Sequence, residues 1–295
     1  MQRFGYVDTG RGQVHFREAG SGPAVVLLHW GPGTSAQYSA IVDELAARGF
    51  RAIAPDLPGF GRSLRREGHW SVGDFADSVL ECLAGWELGR CTLVGGHLAS
   101  LVAMEAARRA PQRFVLVALD GTPVWDEALR RDILAKARPA PMVPREDGEH
   151  LKELWKHLLW EVKMWRPQLP WGEEAGRFAM QLVKAKLLAD FDTRPMQTLL
   201  EYDVFAALAD LQVPVLALSA TDDPLFNCHE SVLARVAGST GHVFQGDHPV
   251  HSRAGAPAYV APILERLRGL GVEAAGTAAP GPAAVAGVAS RDRRA

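Results

Sequence analysis

The chain has 295 residues, enough for one large α/β domain or for one such domain carrying an insertion. Hydrophobic residues at 47% and charged residues at 22% are ordinary for a soluble globular protein. A formal net charge of −2 gives no reason to invoke nucleic acid or an anionic membrane surface as partner.

From Arg3 the pattern predicts three strands, RFGYVDT, QVHFREA and AVVLLHW, divided by turns at Gly10–Gly12 and Gly20–Gly22. The third is a continuous apolar run, as expected of a strand buried on both faces. It ends in His29-Trp30-Gly31-Pro32-Gly33-Thr34, followed by a helical pattern up to Phe50 and a short strand Arg51–Pro55. Val72, Phe75, Ala76, Val79, Leu80 and Leu83 recur at helical spacing. Next comes Cys91–Ala103, in which a β-rich run enters the small-residue turn Gly95-Gly96-His97-Leu98-Ala99 and leaves into an alanine-rich helix. That pattern is a strand–turn–helix elbow, with one residue exposed at the sheet's end in a strained conformation. Phe114–Leu119 is another apolar strand, closing at Asp120-Gly121.

Between Thr122 and Gln212 the alternation gives way to helical patterns, notably Leu151 to Trp165 and Phe178 to Phe191. This segment holds Trp125, Trp155, Trp160, Trp165 and Trp171. Each alone is more simply packing, but as a group they suggest a cleft for a bulky apolar or aromatic molecule. Val213–Leu218 and Gly241–Phe244 restart the sheet, and Ala256–Leu267 is a final helix. Residues 271–295, rich in Ala, Gly and Pro, read as a flexible tail. Strands alternating with helices argue for a mostly parallel sheet covered on both faces. Cys82, Cys91 and Cys228 are an unpatterned set that fits reduced thiols in a cytoplasmic protein. The segment MQRFGYVDTG lacks the charge and apolar run of a secretory signal, and no apolar stretch reaches the length of a membrane span.

Five ordered segments together carry a family resemblance: HWGPGT, PDLPGFGRS, LVGGHLAS, ALSATDDPLF and GDHPVH. In this order they resemble the oxyanion loop, the Asp-x-x-Gly-x-Gly-x-Ser signature, the nucleophile elbow, the acid turn and the histidine loop of the α/β-hydrolase superfamily. The likeness is to its capped epoxide-hydrolase, haloperoxidase and esterase-like branch. It implies a core of residues 1–121 and 213–270, with a helical cap over 122–212. It also implies His248 as general base, Asp223 as its orienting acid with Asp120 as the rival, and an oxyanion hole from the amides of Leu98 and Gly31.

The family's elbow apex is usually Ser; here it is His97. Its ring is longer than a Ser hydroxymethyl, so covalent capture of an acyl group is disfavoured. One reading gives His97 hydrogen bonding or proton transfer, as a neutral imidazole at a helix N-terminus. The other is a dead elbow that keeps His because it tolerates positive φ. A second departure is Trp30, where the family usually has Gly. Together with Trp125, Trp155, Trp160, Asp120 and His251 it is a candidate pocket residue, although His251 reads more simply as loop packing. His29 braces the oxyanion loop.

These residues favour an enzyme acting by acid/base chemistry on an apolar or aromatic small molecule, by C–C bond formation, cyclisation, elimination or C–C cleavage. In that scheme His248→Ala abolishes turnover. Hydrolysis of an ester, lactone or epoxide by activated water is a rival, and a binding protein without turnover a third. No cofactor fingerprint and no short metal-ligand pair is present. A monomer or homodimer in the cytoplasm is expected.

Overall fold

The computed structural model describes residues 1–65, 68–136, 144–189 and 194–275. The chain opens with β1 (Arg3–Thr9) and β2 (Gly12–Ala19), an antiparallel pair, followed by β3 (Ala24–Leu28). Then come α1 (Ser39–Ala47), β4 (Arg51–Pro55), α2 (Val72–Gly85), β5 (Cys91–Gly96), α3 (Leu98–Arg109) and β6 (Phe114–Asp120). Among the described residues five helices follow: α4 (Glu127–Lys136), α5 (Glu149–Trp165), α6 (Glu173–Leu188), α7 (Arg194–Glu201) and α8 (Val204–Ala209). The chain returns to the sheet with β7 (Val215–Ala220), α9 (His229–Leu233), β8 (Thr240–Phe244) and α10 (Ala256–Gly269).

The eight strands form one sheet in the order β1-β2-β4-β3-β5-β6-β7-β8, antiparallel at β1, β2 and β4 and parallel from β4 onward. All residues of β3, β5 and β7 are buried, which is why their sequences are unbroken apolar or small-residue runs rather than alternating ones. One face carries α2 and α3 over a cluster that includes Val26, Phe75, Leu101 and Phe114. The other carries α1 packed on α10, over Leu27, Tyr38, Ile41 and Ile263. Cys82 and Cys91 are buried in the cluster under α2 and α3, and burial pushes each thiol up to about 12, so both behave as small apolar fillers.

Local chemistry sets the element boundaries. Helix α2 starts where Ser71 and Asp74 cap each other's backbone. The motif Asp56–Ser63 is a bracket. Asp56 Oδ1 accepts the Ser35 amide at 2.6 Å, and Oδ2 accepts the Arg62 amide at 3.0 Å. Ser63 Oγ donates to the Asp56 carbonyl at 2.5 Å. Gly61, at φ 57°, is required, since a Cβ there would fall 2.2 Å from Asp56 Oδ2.

Several boundaries differ from the sequence expectation: the strand expected to run to Trp30 stops at Leu28, and Val213–Leu218 is shifted to Val215–Ala220. Helix α6 begins at Glu173, five residues before the periodic run at Phe178, and Phe191 lies outside the described residues. Residues 271–275, assigned to a tail, dock on the core. Val272 packs against the α1–α10 layer and the Ala275 amide donates to the Gly49 carbonyl at 3.1 Å. The remainder of the expected tail, 276–295, lies outside the described residues. Among the described residues no helix is long and apolar enough to cross a membrane.

Candidate active site

The elbow between β5 and α3 places His97 at φ 52°, ψ −118°, a conformation that non-glycine residues seldom adopt. The tight turn depends on Gly95, where a Cβ would fall 2.1 Å from the Ala99 carbonyl oxygen. The His97 amide donates to the Asp120 carbonyl at 2.9 Å, tying the apex to the end of β6. Ser100, three residues on, is turned away and donates its hydroxyl to the His97 carbonyl at 2.6 Å.

The imidazole of His97 reaches across to the turn after β7. Its Nε2 lies 2.8 Å from Asp223 Oδ2, while Asp223 Oδ1 accepts the Leu225 amide at 2.7 Å. Burial works to raise the Asp223 carboxyl. The neighbouring His97 and the Leu225 amide override it and hold the group below the usual carboxylate range. Gly121, at φ 54°, makes room for this pair, since a Cβ there would sit 2.6 Å from the His97 ring.

His248 pairs with a different acid. Its Nε2 is 2.9 Å from Asp120 Oδ1, and Tyr259 donates its hydroxyl to Asp120 Oδ2 at 2.9 Å. The Val250 amide donates to His248 Nδ1 at 3.3 Å, so both ring nitrogens are engaged and Nε2 carries the proton toward Asp120. The expected dyad of His248 with Asp223 is therefore corrected: each imidazole has its own carboxylate. The physical reason is reach. An imidazole at the elbow extends far enough to take Asp223 for itself, and Asp120, fully buried beside Gly96 in the sheet register, is the acid that meets His248.

Trp30 joins the two pairs. Its indole stacks on His97 with centroids 4.0 Å apart and planes 11° apart, and it meets His248 and His251 edge-on at 5.0 and 5.2 Å. The ring occupies the space above Gly96, where a Cβ would come within 1.6 Å of the indole nitrogen. Tyr38 donates its hydroxyl to the Leu28 carbonyl at 3.4 Å, and its ring lies 6.2 Å from that of Tyr259, whose hydroxyl meets Asp120. Burial, reinforced by Asp120, pushes both phenols up, and they remain protonated donors.

His29 acts as the loop brace expected of it, with Nδ1–H donating to the Trp30 carbonyl at 2.8 Å and Nε2 accepting the Leu57 amide at 2.9 Å. Gly31 and Leu98 lie side by side, a Cβ on Gly31 coming 3.8 Å from the Leu98 side chain. The amides nominated for an oxyanion hole thus belong to adjacent loops.

The helical insertion touches this site through Arg166 and Phe178. Arg166, buried at 6% exposure, donates to Asp247 at 2.8 Å and to Glu174 at 2.9 Å, and lies over the Phe178 ring. Phe178 meets His251 edge-on at 5.2 Å. Of the three other tryptophans nominated for the pocket, Trp125 packs partly buried against the core and Trp155 meets Trp171 at 6.2 Å. Trp160 is 58% exposed, stacked on His157 on the outer side of α5, and is not a cleft residue. Among the described residues of that helix Leu154, Leu158, Glu161 and Val162 are buried, and residue 160 falls on the opposite side. Sequence reasoning missed Tyr38, Tyr259, Arg166 and Phe178. Tyr259 stands on a helix rich in apolar residues, and its partner lies 139 residues away. Among the described residues no three His, Cys, Asp or Glu side chains group as a metal site.

A model of the α/β-hydrolase fold matches residues 23–248. An uncharacterized protein of Mycobacterium tuberculosis is 38% identical over 109 residues, 36% of this chain, and the match spans only 32% of its length. Haloalkane dehalogenase 2 from the same organism is 31% identical over 121 residues, 41% of this chain and 42% of that protein. A broader match is to (E)-2-((N-methylformamido)methylene)succinate hydrolase of Acinetobacter baylyi, 26% identical over 72% of this chain and 76% of the relative. Among solved structures, a hydrolase from Pseudomonas aeruginosa superposes with a TM-score of 0.71 at 22% identity, covering 90% of this chain and 98% of its own.

Proposed function

The chain belongs to the α/β-hydrolase fold family, and from that premise we propose an enzyme that works on a small organic molecule by proton transfer, without an acyl-enzyme. One observation carries this reading: an imidazole held by a carboxylate stands at the elbow apex, and the Ser100 hydroxyl, three residues on, is spent on the backbone. The carboxylate fixes the imidazole's orientation and supports positive charge on it, the role an acid plays beside any catalytic histidine. The amides of Leu98 and Gly31, on adjoining segments, are the donors we assign to an enolate, phenolate or tetrahedral oxyanion. Aromatic rings at Trp30 and Phe178 fit an apolar or aromatic substrate. We place the reaction with C–C bond formation, cyclisation or elimination, since none of these needs a nucleophilic side chain.

A second reading, hydrolysis by an activated water, is favoured by the relatives, whose names are those of hydrolases and a dehalogenase. One experiment separates the two. Wild-type protein and His97→Ala are screened against aryl esters, enol lactones and aromatic β-diketones in 18O-labelled water. Turnover that is lost in His97→Ala and leaves no label in the product supports the first reading. Label in the product supports hydrolysis. Turnover undiminished in His97→Ala removes both.

A further inference from the structure

We propose that His251, rather than His248, is the imidazole that accepts a proton from a ligand in the seam between the core and the helical insertion. The inference deepens the acid/base reading above and rests on it.

The argument begins with which nitrogens are available. His248 is 3% exposed and both its nitrogens are occupied, one by Asp120 and the other by the Val250 amide. Taking a substrate proton would require breaking one of those bonds. His251, three residues later on the same short turn, is only partly buried. Among the described residues no side chain or backbone group hydrogen-bonds its ring, and its neighbours are aromatic faces and edges: Trp30, Phe178 and His248 at 5.2, 5.2 and 5.9 Å. A largely buried imidazole walled by rings, with no hydrogen bond to its ring among the described residues, is placed to meet a ligand, where His248 is placed to hold a loop.

The surrounding charges agree with a base. Facing His251 are His248 on its own turn, His97 on the elbow, Asp223 after β7 and Arg166 from the insertion. Burial first, then His248, Arg166 and His97, push the His251 imidazole well below its usual range, with Asp223 opposing. It is therefore neutral at pH 7. Arg166 is itself bonded to Asp247 and Glu174, so it is a fixed positive group beside the seam rather than a mobile one.

The ligand class follows. It is an aromatic molecule with an acidic C–H or O–H, such as an enolisable aryl ketone or a phenol. The C–H or O–H bond breaks, its electron pair stays on the substrate as enolate or phenolate, and the proton goes to a ring nitrogen of His251, giving imidazolium. Arg166 favours the anion so formed, and the proton later returns to product or solvent.

Two measurements test this. The first uses no substrate, so it can fail without the acid/base reading failing: native protein is treated with diethylpyrocarbonate and modification is followed by peptide mass spectrometry. His251 is expected to react at least about tenfold faster than His248 and His97. A His251 rate no higher than that of His248 overturns the assignment. The second uses 5-nitrobenzisoxazole, whose ring opening needs only a base, with wild type, His251→Asn and His251→Ala, each checked for folding by circular dichroism. Both variants are expected to lose at least about tenfold in kcat/KM, with the wild-type rate holding flat below pH 6.5 before it falls. A wild-type rate no higher than that of the variants overturns the proposal, as does a midpoint at or above pH 6.5.

Discussion

His97 Nε2 and Asp223 Oδ2 are 2.8 Å apart, joining the elbow to the turn after β7 by a bond that a shorter side chain at residue 97 would not make. Removing one partner tests what the bond is worth. Asp223→Asn keeps the shape but replaces the ionised acceptor. A charge-assisted hydrogen bond of this kind contributes about 1.5–3 kcal/mol, so urea unfolding of Asp223→Asn is expected to lose stability within that range. Turnover, once a substrate is found by the screen above, is expected to fall at least about tenfold. A variant with unchanged urea midpoint and rate would show the contact to be idle.

The same geometry predicts that restoring the usual residue does not restore the usual chemistry. In His97→Ser the hydroxyl does not meet His248, because His248 Nε2 faces Asp120 and the Trp30 indole packs against both His248 and residue 97. His97→Ser is therefore expected to stay unlabelled by a fluorophosphonate probe, as is the wild type. Stoichiometric labelling of Ser at residue 97 would mean that His248 releases Asp120 readily, contrary to the arrangement described.

Two glycines make room for the enlarged site. A Cβ on Gly96 meets the Trp30 indole at 1.6 Å, and one on Gly121, also at positive φ, meets His97 at 2.6 Å. Both are contacts with rings already packed on one another, so neither can give way cheaply. Gly96→Ala and Gly121→Ala are each expected to cost about 1–3 kcal/mol by overpacking, read from thermal unfolding. Shrinking the ring should repay the first: Trp30→Ala combined with Gly96→Ala is expected to be less destabilised than the sum of the single changes. Strict additivity would show that Trp30 does not occupy the space above Gly96.

The elements were legible in the sequence because burial on both faces leaves a plain mark: Ala24–Leu28 and Val215–Ala220 are unbroken apolar or small runs. The elbow was legible through Gly95, whose role is backbone clearance, and Asp56 through a bracket made of local contacts. Side-chain pairing was not. Whether His248 meets Asp120 or Asp223 depends on the length of the ring at residue 97 and on the Tyr259 hydroxyl, relationships between positions far apart in the chain. Trp30 and Gly96 look independent in the sequence and are one steric fit in the structure. The exposure of Trp160 was within reach, since counting from Leu154, Leu158 and Val162 places it on the far side of α5.

Buried neutral histidines set the acid limb of stability. Burial holds His29, His229 and His251 below their usual range, and in His29 it outweighs the opposing charge of Asp56. Between those depressed values and about pH 6.5 the unfolded chain binds protons that the fold does not, so stability rises with pH across that interval. The contribution is complete above about pH 6.5 and is lost as the pH falls. Asp56 and Asp223, both held below the carboxylate range against burial, add a second loss that begins below about pH 4. Urea midpoints are expected to be level from pH 8 to 7, to fall between pH 6.5 and 5, and to fall further below pH 4. His251→Asn removes one of the three imidazoles and should flatten the first fall. A midpoint unchanged from pH 8 to pH 5 in the wild type would mean that these histidines take up protons without leaving their sites.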